Sequence, residues 1–331
     1  MEYAKLGSSD VEVSRVMFGA WAVGGWLWGG TDDEGSVAAI RKGIDLGMTT
    51  IDTAPVYGFG HSERIVGQAI AGRRDEVIIA TKCGLRWDRE GGDHFFDSTD
   101  LEGRPVSTYR NLRADSILEE IDRSLERLGV DYVDLYQCHW PDPTTPLSET
   151  MEGLNKVLEE GKARAVGVSN FTEEMIEEAG RYGPVASDQP LYNMLDRDAE
   201  RDVLPFCAER DVAVIVYSPL HQGLLTGKVT MERTFPESDQ RSDKVWFHPQ
   251  NRKRVLDFLE KVTPIAEGHG KTLAQVAINW CLCQHGLTAA IVGARRPEQV
   301  EENAGGAGWR LSEGELAQIR GWLDDLAGPT K

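Results

Sequence analysis

The stretch Met48-Thr49-Thr50-Ile51-Asp52-Thr53-Ala54-Pro55-Val56-Tyr57-Gly58 sets the reading of the whole chain. It opens with a short run, Met48–Asp52, whose length and bounds suit a buried strand. Asp52 stands where that run ends. Tyr57 lies on the loop that follows, closed by Gly58. An acid and a phenol five positions apart at a strand's exit suit proton transfer. A tyrosine, with an ordinary pKa of about 10, donates poorly at neutral pH unless a cation stands close. The rest of the chain must supply that cation on a compatible scaffold.

Working outward, Tyr3–Leu6 and Val11–Ser14 flank Gly7-Ser8-Ser9-Asp10 and read as an opening hairpin. Apolar runs then alternate with amphipathic stretches. Strands are expected at Val16–Gly19, Met48–Asp52, Glu76–Thr81, Tyr132–Gln137, Ala163–Val168, Val185–Asp188, Val212–Ser218 and Ala289–Gly293. Helices are expected at 33–46, 62–70, 115–128, 147–160, 172–181, 199–209, 252–268, 272–284, 297–303 and 312–326. Eight strand-then-helix units imply a parallel sheet, and in 331 residues a closed (β/α)8 TIM barrel with an N-terminal hairpin and extra C-terminal helices. An open doubly wound sheet fits less well, because no G-x-G-x-x-G follows the first strand. The reading is one domain over 1–331. It has two long loops, Cys83–Ala114 and Gln222–Asn251, of the length that lids often have.

Composition bounds the function. Hydrophobic residues make up 40% and charged residues 27%, enough for a large core. A net charge of -18 argues against nucleic acid or an anionic membrane as partner. No apolar run approaches the roughly 18 residues of a membrane span. The five cysteines (Cys83, Cys138, Cys207, Cys281, Cys283) have no zinc spacing and read as reduced buried thiols of a cytoplasmic protein. No metal site is expected: His61, His139 and His221 form no ligand pattern.

A barrel gathers function at the C-terminal ends of its strands. Asp52 and Tyr57 follow the second expected strand, Lys82 the third, His139 the fourth, and Ser169-Asn170 the fifth. Gln189 follows the sixth, Tyr217-Ser218 the seventh, and Gly293-Ala294-Arg295 the eighth. Singly, each has a plain structural explanation: a solvated lysine, a packed histidine, a helix-capping aspartate. Together, an acid, a phenol, an ammonium and an imidazole fall on one rim. Lys82 beside the Tyr57 hydroxyl favours phenolate and lowers the phenol's pKa. Asp52 pairs with Lys82, and His139 positions a substrate carbonyl oxygen. Tyr57 then donates a proton to that oxygen. None of the four supplies electrons, so a hydride donor is required, and nicotinamide is the natural one. Ser169, Asn170 and Gln189 suit its carboxamide and Tyr217 its ring.

Asp52, Tyr57, Lys82 and His139, with Ile51–Gly58, Val166-Gly167-Val168-Ser169-Asn170-Phe171 and the Asn303 end of Gly293–Asn303, resemble the catalytic tetrad and signatures of the aldo-keto reductases. The resemblance covers nearly the whole chain. Tyr217-Ser218-Pro219-Leu220 and Gly223–Lys228 look most like the bacterial inositol-cluster and general-stress branch, related to the potassium-channel β subunits. The resemblance implies NADP(H) extended across the barrel mouth without a Rossmann motif. Gly19, Ala20 and Trp21 would line the nicotinamide end, and Ser218, Leu220, Gly223 and Lys228 the diphosphate, clamped by Arg241. Arg295, Gln299, Glu302 and Asn303 would hold the adenosine end. The chain departs from many members there: Gly293-Ala294 stands where they carry Lys-Ser, and Gln299 where they carry Arg. A 2′-phosphate then relies on Arg295, with Arg296, and NADPH preference is expected on that basis.

The substrate pocket is read as Trp21, Trp28, Trp87, Trp140 and Tyr192, an aromatic wall for apolar or aromatic carbonyl compounds. The expected function is NADPH-dependent reduction of aldehydes or ketones to alcohols, or the reverse oxidation. Two other classes compete. One is a slow-turnover nicotinamide-binding sensor or accessory subunit. The other is a Schiff-base aldolase on Lys82, which needs an unpaired lysine. The partner is a small carbonyl molecule, and oligomeric state is left open.

Overall fold

The structure, a computed structural model, describes residues 1–330. A hairpin of β1 (Tyr3–Lys5) and β2 (Glu12–Ser14) opens the chain. Strand β3 (Val16–Gly19) is followed by α1 (Asp33–Asp45), β4 (Thr50–Asp52) by α2 (His61–Ile70), and β5 is Ile78–Cys83. After β5 come β6 (Leu85–Arg86), β7 (Asp93–Thr99) and β8 (Pro105–Arg110), then α3 (Ala114–Leu128). The alternation resumes with β9 (Val133–Cys138), α4 (Leu147–Glu159), β10 (Ala163–Ser169), α5 (Glu173–Gly180), β11 (Ser187–Gln189), α6 (Val203–Glu209) and β12 (Ala213–Tyr217). Helices α7 (Pro249–Gly268) and α8 (Leu273–Leu282) precede β13 (Leu287–Gly293), and α9 (Pro297–Ala304) and α10 (Glu313–Leu326) end the fold.

Strands β3, β4, β5, β9, β10, β11, β12 and β13 pair in that order, all parallel, and β13 closes on β3. This is the expected eight-stranded barrel. Side chains alternate across each strand, and the alternation divides the core in two. Val16, Phe18, Ile79, Tyr136, Val166, Val168, Val214 and Val216 pack outward under the helices. Met17, Ala80, Leu135, Ala165, Ile215, Ala289 and Ile291 fill the interior. Leu6, Val11 and Val13 of the hairpin join that inner cluster, so the hairpin plugs the barrel bottom. Its turn requires Gly7, at φ +53, where a Cβ would lie 2.3 Å from the Ala186 carbonyl oxygen.

Local sequence explains the helix starts. Thr272 and Gln275 form a capping box at α8, and Ser312 and Glu315 form one at α10. The interval Cys83–Ala114 differs from the expected loop. It folds as a three-stranded antiparallel sheet in the order β6-β8-β7. Its polar, irregular sequence has no alternation facing the barrel; instead Phe95 and Phe96 pack with Trp26, Phe59, Trp87 and Trp140 in a separate aromatic cluster. The interval Gln222–Asn251 is mostly irregular, with short turns at His221–Thr226, Gln240–Ser242 and Val245–Phe247. None of the helices is long and apolar enough to cross a membrane among the described residues.

Candidate active site

Lys82, Ser169 and Gln189, expected just beyond their strands, lie inside them. Asp52, Ser169, Gln189, Tyr217 and Gly293 are the last residues of β4, β10, β11, β12 and β13, and Lys82 is one before the end of β5. They share the inward parity of Ala80, Leu135 and Ile215, which turns all of them onto the upper interior of the barrel. Lys82 is fully buried there, and its Nζ donates to Asp52 Oδ1 at 2.6 Å and to the Thr53 carbonyl at 3.0 Å. The Tyr57 hydroxyl lies 3.4 Å from the same nitrogen. Gln189 Nε2 donates to the other Asp52 oxygen at 2.9 Å. His139, just past β9, is buried with its ring edge-on to Tyr57, centroids 5.5 Å apart. Its main chain is pinned by a bond from its amide to the Cys83 carbonyl and one from Asn170 Nδ2 to its own carbonyl.

Burial dominates the electrostatics. It lowers the pKa of Lys82, with the Asp52 carboxylate pulling it back up. Burial first, then the Lys82 charge, hold His139 well below the ordinary imidazole range, so the ring is neutral at pH 7. Tyr57 reverses the sequence expectation. Burial and then the Asp52 charge push its pKa well above the ordinary value. The resting phenol keeps its proton. The tight pairing of Lys82 also removes the free amine that Schiff-base chemistry requires.

A cavity of about 1190 Å³ runs from this cluster across the barrel mouth. At one end stand Tyr57, His139, Ser169, Asn170, Gln189 and Tyr217, the last donating from its hydroxyl to Asn170 Oδ1 at 3.0 Å. Gly19 and Trp21 line the same cavity. Further along come Ser218, Leu220, Gly223, Lys228 and Arg241, then Gly293, Arg295, Gln299, Glu302 and Asn303. The cavity fits an elongated polar ligand. The Trp21 and Trp28 ring N–H groups and Gln222 Oε1 are buried there without partners, and a Cβ on Gly223 would meet nothing within 4 Å. Several predicted contacts are already engaged. Arg241 forms a two-pronged pair with Asp239, and Lys228 bonds Glu302 at 2.6 Å. Arg295 reaches across the cleft to the Trp28 and Gly30 carbonyls at 2.9 and 2.7 Å, and its amide donates to Gln299 Oε1.

Three predicted residues lie elsewhere. Ala20 is fully buried below the cavity floor, its amide bonded to the Asp52 carbonyl. Trp87 packs behind Phe59 in the aromatic cluster, away from the cavity. Tyr192 is fully buried, stacked on Trp280 and bonded to Glu200, in the layer outside the barrel. Trp21, Trp28 and Trp140 do line the cavity, and Trp26, Leu85, Phe95, Phe96, Leu191 and Trp246 join them unpredicted. The one signal for Phe95-Phe96 was an aromatic pair in an otherwise polar stretch, Gly91–Thr99.

A parallel (β/α)8 barrel with a buried Asp–Lys pair under a phenol and an imidazole, at the end of a long polar cleft, defines a class of carbonyl oxidoreductase scaffold. The chain belongs to the Aldo/keto reductase family, whose profile matches residues 15–324. It is 39% identical to the Bacillus subtilis (strain 168) aldo-keto reductase YhdN, over 99% of this chain and 97% of that one. It is also 39% identical to the NADH-specific methylglyoxal reductase of Escherichia coli (strain K12), over 98% of this chain and 99% of the relative. Among solved structures it resembles the glycerol dehydrogenase AKR11B4 from Gluconobacter oxydans, with TM-score 0.89, 38% identity, and coverage of 99% of this chain and 97% of that one.

Proposed function

We propose that this chain reduces aldehydes and ketones to alcohols, with Tyr57 as the proton donor and a reduced nicotinamide dinucleotide as co-substrate. The observation that carries the reading is the buried cluster in which one ammonium contacts both Asp52 and the Tyr57 hydroxyl. When bound, the reduced nicotinamide supplies the hydride. Ser169, Asn170, Gln189 and Tyr217 would hold its carboxamide and ring, Ser218, Leu220, Gly223, Lys228 and Arg241 its diphosphate. Gly293, Arg295, Gln299, Glu302 and Asn303 would hold the adenosine end.

The protein's own residues handle the oxygen. His139, neutral, directs an N–H at the substrate carbonyl oxygen and fixes its position. Tyr57 gives its proton to that oxygen as negative charge develops there. Lys82 stabilises the phenolate left behind, and Asp52, held by Gln189, keeps Lys82 charged and oriented. Tyr57 afterwards regains a proton from solvent. A phenol whose resting pKa lies high is protonated throughout the physiological range, which suits reduction better than oxidation.

Two finer readings follow. Trp26, Phe95, Phe96 and Trp140 wall the phenol end of the cavity, which favours apolar or aromatic carbonyl compounds. The NADPH preference expected from Arg295 is weak, since that guanidinium already serves two carbonyls and Glu302 faces the same end. We propose that NADH serves at least as well, in keeping with the NADH-specific relative. The test is loss of reduced-nicotinamide absorbance with a panel of aliphatic and aromatic aldehydes, run with NADH and with NADPH. Turnover of aryl aldehydes with NADH supports the reading. Absence of turnover with every aldehyde and both cofactors contradicts it.

A further inference from the structure

Behind the buried cluster stands a second carboxylate, to which the chemistry above gives no task. Glu63, in the first turn of α2, is fully buried and does not line the cleft. Its Oε1 accepts from the Thr81 hydroxyl at 2.6 Å, and its Oε2 from Arg127 Nε at 2.6 Å. Arg127 comes from α3, which packs so close to α2 that a Cβ on Gly67 would lie 2.6 Å from the Leu128 carbonyl oxygen. A buried ion pair stabilises a fold no better than well-packed apolar residues of the same volume. Stability alone therefore does not account for a carboxylate at this position.

Thr81 links that carboxylate to the site. Ile79 faces outward from β5 and Ala80 inward, so Thr81 faces α2 while Lys82 faces the barrel interior. Glu63 is the only acceptor of the Thr81 hydroxyl among the described residues. Holding the Thr81 side chain holds the backbone from which Lys82 projects. The preceding helix residue does the same for β4. Ser62 Oγ donates to the Ala20 carbonyl at 2.8 Å and lies 2.9 Å from Thr53 Oγ1. Thr53 follows Asp52, and its carbonyl accepts from Lys82 Nζ at 3.0 Å. The Ser62 amide donates to the Tyr57 carbonyl at 3.1 Å. One helical turn thus ties together β5, the exit of β4 and the loop of Tyr57. Its charge acts in the same sense: burial lowers the Lys82 pKa, and the Asp52 charge and then that of Glu63 pull it back up.

We infer that Glu63 is a positioning residue for the reduction, setting through Thr81 where Lys82 Nζ stands between Asp52 and the Tyr57 hydroxyl. This rests on the reductase reading above. Placement matters because the ammonium lies 3.4 Å from the phenol oxygen, already long for a hydrogen bond. A small outward movement of β5 breaks that contact and leaves the developing phenolate without its cation.

The test cuts the link at Thr81. Thr81→Val keeps nearly the same shape and removes the hydroxyl, Thr81→Ser keeps the hydroxyl, and Glu63 retains Arg127 in both. Thr150→Val is the packing control: Thr150 is as deeply buried, on α4, and its hydroxyl donates to the Leu112 carbonyl. Aldehyde kcat and KM at saturating NADH are measured beside NADH affinity by fluorescence, and melting verifies that each variant is folded. Loss of one charge-assisted hydrogen bond corresponds to about tenfold. Thr81→Val should lower kcat about tenfold with KM and NADH affinity within about twofold, Thr81→Ser should stay within about threefold of native, and Thr150→Val should leave kcat unchanged. Glu63→Met/Arg127→Met removes the outer pair without stranding a charge and should lower kcat by the same factor, a second route should Thr81→Val not fold. Placed in a Lys82→Met background, Thr81→Val should change kcat by less than about twofold, because a residue that acts through Lys82 then has nothing to act on. A tenfold loss that persists in that background, or an equal loss from Thr150→Val, is a general structural effect and overturns the inference. Native kcat in both Thr81→Val and the double variant overturns it while the reductase reading stands. If the native protein reduces no aldehyde with NADH or NADPH, the reductase reading falls and takes this inference with it.

Discussion

Lys82→Met removes an ammonium that is completely buried and 2.6 Å from a carboxylate that is itself only 4% exposed. Breaking a buried pair from one side strands the other charge and costs about 3–5 kcal/mol. Asp52 would retain one bond, from Gln189 Nε2 at 2.9 Å, and no cation. The double variant Asp52→Asn/Lys82→Met removes both charges, so no stranded carboxylate remains. It should recover about 2 kcal/mol of the single variant's loss, because much of that loss is desolvation of an unpaired charge. Urea unfolding of the native protein, both single variants (Lys82→Met and Asp52→Asn) and the double variant measures this, with the midpoint shifting at constant slope. Both variants should also lose about a hundredfold or more in turnover, since nothing then stabilises the phenolate. A single variant costing less than about 1 kcal/mol, or a double variant whose cost equals the sum of its two singles, would refute the argument that this is a tightly coupled buried pair.

Phe95→Ala should lower kcat/KM for aryl aldehydes by about tenfold while leaving a small aldehyde within about twofold, because one buried aromatic contact is lost; an equal loss on both would place the ring outside the substrate pocket. Asp188, facing outward from β11, is fully buried without a well-formed hydrogen bond at either oxygen, and burial raises its pKa from 3.8 to about 8, the nearby Phe171 and Gln189 amides only partly opposing. Its folded-state pKa lies above the unfolded one, so its stabilising contribution is complete below the unfolded value and is lost as pH rises through the folded one, by up to about 1.4 kcal/mol per pH unit. Asp188→Asn should therefore flatten the decline in melting temperature between pH 5 and pH 8, and an unchanged slope would mean that Asp188 ionises freely. Arg295→Met should change the NADH-to-NADPH ratio of kcat/KM by less than about threefold if the guanidinium is a strap and not a phosphate ligand; a tenfold fall for NADPH alone would restore the phosphate role.

The barrel was legible because parallel strands buried on both faces leave short apolar runs, and amphipathic helices separate them at regular intervals. The gathering of Asp52, Tyr57, Lys82 and His139 was legible because strand ends on one rim converge whatever their separation in sequence. Strand limits moved by a residue or two, since a buried polar residue such as Lys82 or Gln189 looks like a terminus when only hydrophobicity is read. The β6–β8 sheet was invisible for a different reason: its side chains pack on one another and on Trp26 and Trp140 rather than on the barrel, so no period faces a common core. Tyr192 and Trp87 show the converse error. Both are aromatic and near the rim in sequence, yet each is turned into packing by its neighbours, Trp280 and Phe59. The direction of the Tyr57 shift depended on how deeply the phenol is buried and on the Asp52 charge beside it, which sequence does not contain.

The most direct test of the central claim is the Tyr57→Phe variant, assayed for aldehyde reduction at saturating NADH alongside NADH affinity measured by fluorescence. Loss of only the hydroxyl should reduce kcat by about 10²–10⁴ while NADH still binds, because general-acid transfer to the carbonyl oxygen is removed and the cleft is not. A variant that retains kcat within tenfold of the native enzyme would contradict Tyr57 as proton donor, and with it the account of how the buried cluster works.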